Sequence, residues 1–255
     1  MNVSLFITCV SDLMYPNVGK SVVSLLRKFG CRVDFPEDQA CCGQPAFNSG
    51  YVEDAKKAAR QLIRAFDHSE YVVTPSGSCA AMIRHYYPHL FEGEGEWEDK
   101  ARKLADKTYE FSEFLVKVLN ITRIDAEFEG RATYHCSCHM TRGLGIVEEP
   151  MQLIKSVKKL EFVDLPYRMD CCGFGGTFAV KMHDISGEMV DEKARHIMET
   201  GANILLGSDM ACLLNIEGRL RRLGYDCKAY HVAELLHEGV KRYEQQRAVA
   251  EGEGR

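Results

Sequence analysis

Apolar residues recur along the chain in two rhythms. Short continuous runs, at 3–8, 71–74 and 204–206, alternate with longer stretches in which apolar positions return every three or four residues. The first pattern predicts buried strands and the second predicts helices with one apolar face. In the N-terminal half the strands fall at 3–8, 32–35 and 71–74. A helix over 18–29 carries Leu25, Leu26 and Phe29 on one face. Another over 51–66 carries Ala55, Ala58, Ala59, Leu62 and Phe66, and a third follows Ser76. In the C-terminal half the strands fall at 132–135, 162–164, 204–206 and 227–230, with helices near 150–157, 186–199, 209–222 and 232–245. Short apolar strands separated by helices predict parallel sheets covered on both faces, hence an α/β fold. Residues 92–106 open with Glu-Gly-Glu-Gly-Glu and predict a solvated loop leading into an exposed helix. The charged run 241–255 predicts a solvated helix end and a frayed tail.

The order of elements repeats because the sequence repeats. Val33-Asp34-Phe35-Pro36 leads to Cys41-Cys42-Gly43, and Val163-Asp164-Leu165-Pro166 leads to Cys171-Cys172-Gly173 at the same spacing. Tyr71-Val72-Val73, which leads to Cys79, corresponds to Ile204-Leu205-Leu206, which leads to Cys212. Tyr109-Glu110-Phe111 corresponds to Tyr230-His231-Val232. Three matches in the same order imply an internal duplication into two pseudo-symmetric, Rossmann-like parallel-sheet domains, at 1–125 and 130–255. The period is far too long for a solenoid.

Composition narrows the chemistry. Of 255 residues, 11 are cysteine, and the net charge is −5. The cysteines are too sparse for a disulfide scaffold, and their odd number cannot pair fully within one chain. The charge gives no electrostatic footprint for nucleic acid. No apolar run reaches a membrane span, and the N-terminal stretch lacks the basic start of a secretion signal. A cytoplasmic location is expected, where thiols stay reduced and cysteines serve metal or redox roles.

The cysteines fall where a parallel sheet builds its sites, beyond the carboxyl ends of the strands. Cys9, Cys41, Cys42 and Cys79 follow three strands of the first copy; Cys138, Cys171, Cys172 and Cys212 follow their counterparts in the second. Sets of four thiolates commonly hold iron–sulfur clusters. Zinc is the alternative metal, although the short Cys-x₂₋₄-Cys knuckles usual for structural zinc are missing. The vicinal pairs Cys41-Cys42 and Cys171-Cys172 also admit thiol–disulfide chemistry. Cys31 and Cys227 read as core packing, and Cys136 as a spare or alternate ligand. His135 and His139 flank the second set and are candidates for proton relay or ligation. Gly173-Phe174-Gly175-Gly176-Thr177 lacks the lysine and spacing of a phosphate loop; its glycines let backbone pass close to a bulky cofactor. Arg84, Arg131, Arg142 and Arg168 are equal candidates for binding an acid.

The doubled Cys-Cys-Gly frame, Phe-Ile-Thr-Cys9, Ser-Gly-Ser-Cys79, Tyr134-His135-Cys136-Ser137-Cys138-His139 and Asp170-Cys171-Cys172-Gly173-Phe174 resemble the cysteine-rich CCG-domain proteins. These include the cysteine-rich component of heterodisulfide reductase and the iron–sulfur component of glycolate oxidase. The resemblance covers nearly the whole chain. It implies an iron–sulfur oxidoreductase component of a three-protein system that oxidises L-lactate to pyruvate. Its role there would be electron transfer, its partners a larger ferredoxin-type iron–sulfur protein and a third small subunit. The family frame often ends in Cys-x-x-Cys, giving five cysteines per copy. Here the first of that pair is Ser76 in one copy and Asp209 in the other. Four thiols per copy remain, which fits a four-iron cubane in each, with zinc as the alternative and Ser76 or Asp209 as available oxygen ligands.

Overall fold

A computed structural model describes residues 1–253 of the chain. Its strands are β1 (Asn2–Leu5), β2 (Arg32–Asp34), β3 (Tyr71–Thr74), β4 (Thr108–Glu110), β5 (Glu127–His135), β6 (Lys158–Phe162), β7 (Ile204–Gly207) and β8 (Lys228–His231). They form two four-stranded sheets, ordered β2-β1-β3-β4 and β6-β5-β7-β8. Every pairing is parallel. The same order twice is the duplication in space, and the α/β class stands as expected.

Local chemistry explains the elements. All four residues of β7 are buried, as are Val72 and Val73 of β3. A central parallel strand has no polar face, so its sequence reads as an unbroken apolar run. The helix Pro16–Lys28 begins with Pro16, whose missing N–H costs nothing in the first turn. It buries Val18, Val22, Leu25 and Leu26 and ends on Arg27 and Lys28, which favour the negative pole of the dipole. The helix Val52–Ala65 starts with Glu53 and Asp54 and buries Ala55, Ala59, Leu62 and Ile63.

Four expectations need correction. β1 ends at Leu5, and Cys9 already belongs to a helix, Cys9–Met14, capped by the Thr8 side chain. β6 lies ahead of the expected 162–164, because this edge strand reads Lys-Lys-Leu-Glu-Phe and its charges hide it from an apolar search. β4 completes the first sheet although its three residues, Thr-Tyr-Glu, carry no apolar run. The helix Glu96–Asp106 is packed rather than exposed. It buries Ala101, Leu104 and Ala105, and Trp97 stacks on Phe91 with ring centroids 6.0 Å apart. The charged C-terminal run is helical as far as Glu253 (Val232–Glu253); its last two residues lie outside the described residues.

The strands of the two sheets lie on either side of residue 126, but the interior is shared. One apolar cluster joins Val3, Leu25 and Val73 to Tyr134, Leu206 and Leu235. The helix Val232–Glu253 that leaves the second sheet packs on Pro16–Lys28 of the first half. With the halves locked this way, the loops after β1, β2 and β3 meet those after β5, β6 and β7 around one cavity.

Candidate functional site

Each cysteine of the two sets sits at a position that its local backbone prescribes. Cys9 is the first residue of its helix. Cys41 and Cys42 precede Gly43, which stands at φ +82° and turns the chain into the helix Gln44–Asn48. A Cβ on Gly43 would lie 3.1 Å from the Ala55 carbonyl oxygen; on Gly173, at φ +80°, it would lie 2.7 Å from that of Ser186. Only glycine fits both the left-handed backbone and the space. Cys79 is the third residue of the helix Gly77–Ala81, whose cap is Ser76: its Oγ accepts from the Cys79 amide at 3.2 Å. Cys212 holds the same place in the helix Met210–Arg222.

The sulfurs form two matching chains. Cys9 Sγ is 3.7 Å from Cys41 Sγ, Cys41 hydrogen-bonds with Cys42, and Cys42 Sγ is 3.4 Å from Cys79 Sγ. In the second set Cys138 hydrogen-bonds with Cys171, Cys171 with Cys172, and Cys172 with Cys212. All 11 cysteines are free thiols. Within each chain one sulfur is driven toward the thiolate. Cys41 is held far below the ordinary thiol range by hydrogen bonds from Cys42 and Cys9 and from the Gly43 amide. Cys171 is held there by bonds from Cys138 and Cys172, and its Sγ accepts from the Gly173 amide at 3.4 Å. The neighbours Cys9, Cys42, Cys138 and Cys172 are pushed up, first by these same bonds and then by burial. Four crowded sulfurs therefore share protons and cannot all ionise unless a cation compensates them, as a metal ligand set requires. The donors present fit a metal cluster in each half.

The two sets, which follow the strands of separate sheets, line one cavity of about 160 Å³. Phe174, Gly175 and Gly176 of the glycine loop close one side of it, against Gln44 and Pro45. This loop is tied across the halves by Thr177 and Ser49, whose Oγ atoms are 2.6 Å apart.

Ser76 and Asp209, the positions where the frame lacks a cysteine, meet each other. Asp209 accepts from Ser76 Oγ at 2.5 Å, from Ser78 Oγ at 2.7 Å and from the Ser78 amide at 3.1 Å. Asp209 stands at the cap of its own helix, yet its carboxylate caps the helix of the other half. These bonds occupy the oxygens that the sequence offered as ligands.

The two histidines separate. His139 lies at the cavity wall, its Nδ1 3.6 Å from Cys138 Sγ, and also faces a wider pocket of about 490 Å³ shared with His85, His89 and Arg142. His135 is 1% exposed, and neither ring nitrogen has a hydrogen-bond partner. Burial, then the nearby Lys193, lower its pKa to about 3, so it is neutral. Its ring lies near Cys172 and Cys212, the three ligand atoms falling within 4.8 Å of one another. Cys136 is buried in the shared apolar cluster, outside the cavity lining, and so packs like Cys31 and Cys227. Of the four arginines, Arg84 pairs with Glu113 and Arg131 with Glu161, both at 2.7 Å; Arg168 lies 3.8 Å from Asp164. Arg142 is the one that lines the pocket beside His139. Lys193, His85 and His89 were not singled out from the sequence. Lys193 did leave a signal: a lysine between Val190 and Ile197 on the buried face of the helix His183–Thr200. Its Nζ donates to the Tyr167 carbonyl at 2.7 Å.

The family model for the cysteine-rich domain, CCG, matches residues 3–84 and again 132–217. Lactate utilization protein A 2 of Bacillus cereus (strain Q1) is 57% identical over 242 residues, which are 95% of this chain and 100% of that protein. The chain belongs to the CCG cysteine-rich family, in its lactate utilization protein A group. Lactate utilization protein A of Geobacillus sp. (strain WCH70) is 58% identical over 237 residues, 93% of this chain and 99% of its own. Among solved structures, a putative Asp/Glu racemase from Yersinia pestis is similar at a TM-score of 0.41 and 10% identity, covering 96% of this chain and 100% of its own. Membership of the lactate utilization protein A group supports a role in lactate utilization, and no helix among the described residues is long and apolar enough to cross a membrane.

Proposed function

We propose that this protein is the iron–sulfur, electron-transferring component of a multi-protein complex that oxidises L-lactate to pyruvate. The observation that carries the reading is the pair of four-sulfur chains on one cavity, in a member of the lactate utilization protein A group. Cys9, Cys41, Cys42 and Cys79 would hold one cluster, and Cys138, Cys171, Cys172 and Cys212 the other, so that residues 1–125 and 130–255 each contribute one set. Iron–sulfur clusters bound there would supply one-electron acceptors, and oxidation of a hydroxy acid to a keto acid releases two electrons and two protons. The chain's own residues do the remaining work. His139, at the wall between cavity and outer pocket, carries a proton, a role the buried His135 cannot share with solvent. Arg142 gives that outer pocket, which His85 and His89 also line, a cation suited to a carboxylate.

The partners are a ferredoxin-type iron–sulfur subunit and a third small subunit. Leu13, 84% exposed, lies on the helix that begins at Cys9, and Val180, 79% exposed, lies just beyond the glycine loop. Exposed apolar side chains on elements that leave a site suit a docking surface. Free thiols throughout fit the reducing cytoplasm.

The test is anaerobic purification and reconstitution, with iron, zinc and acid-labile sulfide counted per chain. Iron and sulfide are expected in near-equal amounts with a visible charge-transfer band, together with L-lactate-dependent dye reduction once the partners are added. Zinc alone without that band overturns the reading in favour of a zinc-held scaffold. Reversible loss of two thiols per half in an iron-free, active protein overturns it in favour of thiol–disulfide chemistry.

A further inference from the structure

The two halves match cysteine for cysteine, but they differ three residues ahead of the leading cysteine. In the first half that position is Phe6, fully buried and packed edge-on against Phe66 with centroids 5.8 Å apart. In the second half it is His135. Phe6 directly follows β1 and His135 ends β5, strands of equivalent place in the two sheets, and both side chains are withdrawn from solvent. A phenyl ring needs nothing from its surroundings. An imidazole always carries at least one N–H, and its other nitrogen offers a lone pair. His135 satisfies neither among the described residues. An unmade hydrogen bond at a buried polar group costs about 1–3 kcal/mol, so such a residue needs a reason.

The reason is what lies beside it. A ring nitrogen of His135 and the sulfurs of Cys172 and Cys212 all lie within 4.8 Å of one another. The neutral imidazole is the ligating form. We propose that His135 supplies a nitrogen ligand to the metal centre of the second cysteine set, which makes that centre a mixed sulfur–nitrogen site beside an all-sulfur one. The second half then offers five donors for the four ligand positions of a cubane, so His135 stands there in place of one thiolate, whereas the first half has only its four thiolates. The inference rests on the iron–sulfur reading given above and adds to it an order between the two centres. Imidazole in place of thiolate removes negative charge from an iron and raises its reduction potential, as in clusters of mixed cysteine and histidine ligation. When electrons are supplied one at a time, the second centre therefore takes the first.

The test uses the full chain, reconstituted anaerobically with iron and sulfide, and made with either natural-abundance or ¹⁵N-labelled histidine. Pulsed EPR of the protein half-reduced by dithionite is expected to show a strong, isotope-sensitive nitrogen coupling, as for a directly bound ring. The coupling persists in His139→Gln and disappears in His135→Phe, which copies the first half. A dithionite titration is expected to resolve two steps in the parent chain that move together in His135→Phe. The labelled parent chain decides the matter by itself if His135→Phe does not fold. A full complement of iron and sulfide with no nitrogen coupling, or with only the weak coupling of a hydrogen-bonded ring, overturns the proposal and leaves the iron–sulfur reading intact. Absence of iron and sulfide sinks both.

Discussion

At Asp209 one carboxylate accepts from two hydroxyls and an amide that all belong to the other half of the molecule. Removing it leaves the Ser78 amide at the start of a helix without an acceptor and takes from the buried Ser76 hydroxyl its carboxylate partner. Asp209→Ala is expected to lower stability by about 3 kcal/mol, and Asp209→Asn, which keeps an acceptor, by less. Urea unfolding of the metal-free protein measures both; a loss under about 1 kcal/mol for the alanine variant contradicts the bridging role. The eight motif cysteines were legible in the sequence because strand ends and helix starts fix where they go. The bond between Ser76 and Asp209 was not, since it joins residues 133 apart through the packing of two halves. Cys136 was misjudged for a related reason: it alternates with His135 and Ser137 after a strand, and only the packed interior shows which of them faces the sulfurs.

Among the elements, those that bury both faces were the most legible, and those at edges the least. β3 and β7 follow directly from their apolar runs, while the charged edge strand β6 and the three-residue β4 do not. The helix Glu96–Asp106 shows the opposite error. Its acidic first turn, Glu96, Glu98 and Asp99, suggests solvent, although acidic residues there favour the positive pole of the helix while the other face packs. Arg60 and Arg64 lie over the Trp97 ring at 5.5 and 5.2 Å and hold the helix to its neighbour. Leu104, almost fully buried, is the test of that packing. Leu104→Ala is expected to cost about 2–5 kcal/mol in chemical denaturation, whereas a surface helix would lose well under about 1 kcal/mol.

At the scale of the whole molecule, the halves are joined by a common core and by polar ties, and one tie responds to acid. His231, fully buried at the end of β8, donates from Nε2 to the Pro75 carbonyl of the first half at 3.1 Å and accepts from the Ala233 amide on Nδ1 at 3.1 Å. Burial lowers its pKa from 6.5 to about 4. A histidine with a depressed folded pKa stabilises above its unfolded value, and that contribution is lost as pH falls from 6.5 to about 4. The effect amounts to about 3 kcal/mol. His231→Asn is expected to be less stable than the parent at about pH 7.5, with the gap narrowing by roughly that amount toward about pH 4; parallel stability curves would contradict this. The meeting of Ser76 with Asp209 has a further consequence. In a symmetric pair of identical half-chains, a residue on the two-fold axis can touch only its own copy. Two aspartates there would repel, and serine facing serine would leave no carboxylate to hold the opposite helix start. Joining the copies in one gene freed the two positions to diverge, and a self-contact became a donor facing an acceptor. The same freedom separates Phe6 from His135, so covalent fusion is what allows two matching sulfur sets to have unequal surroundings.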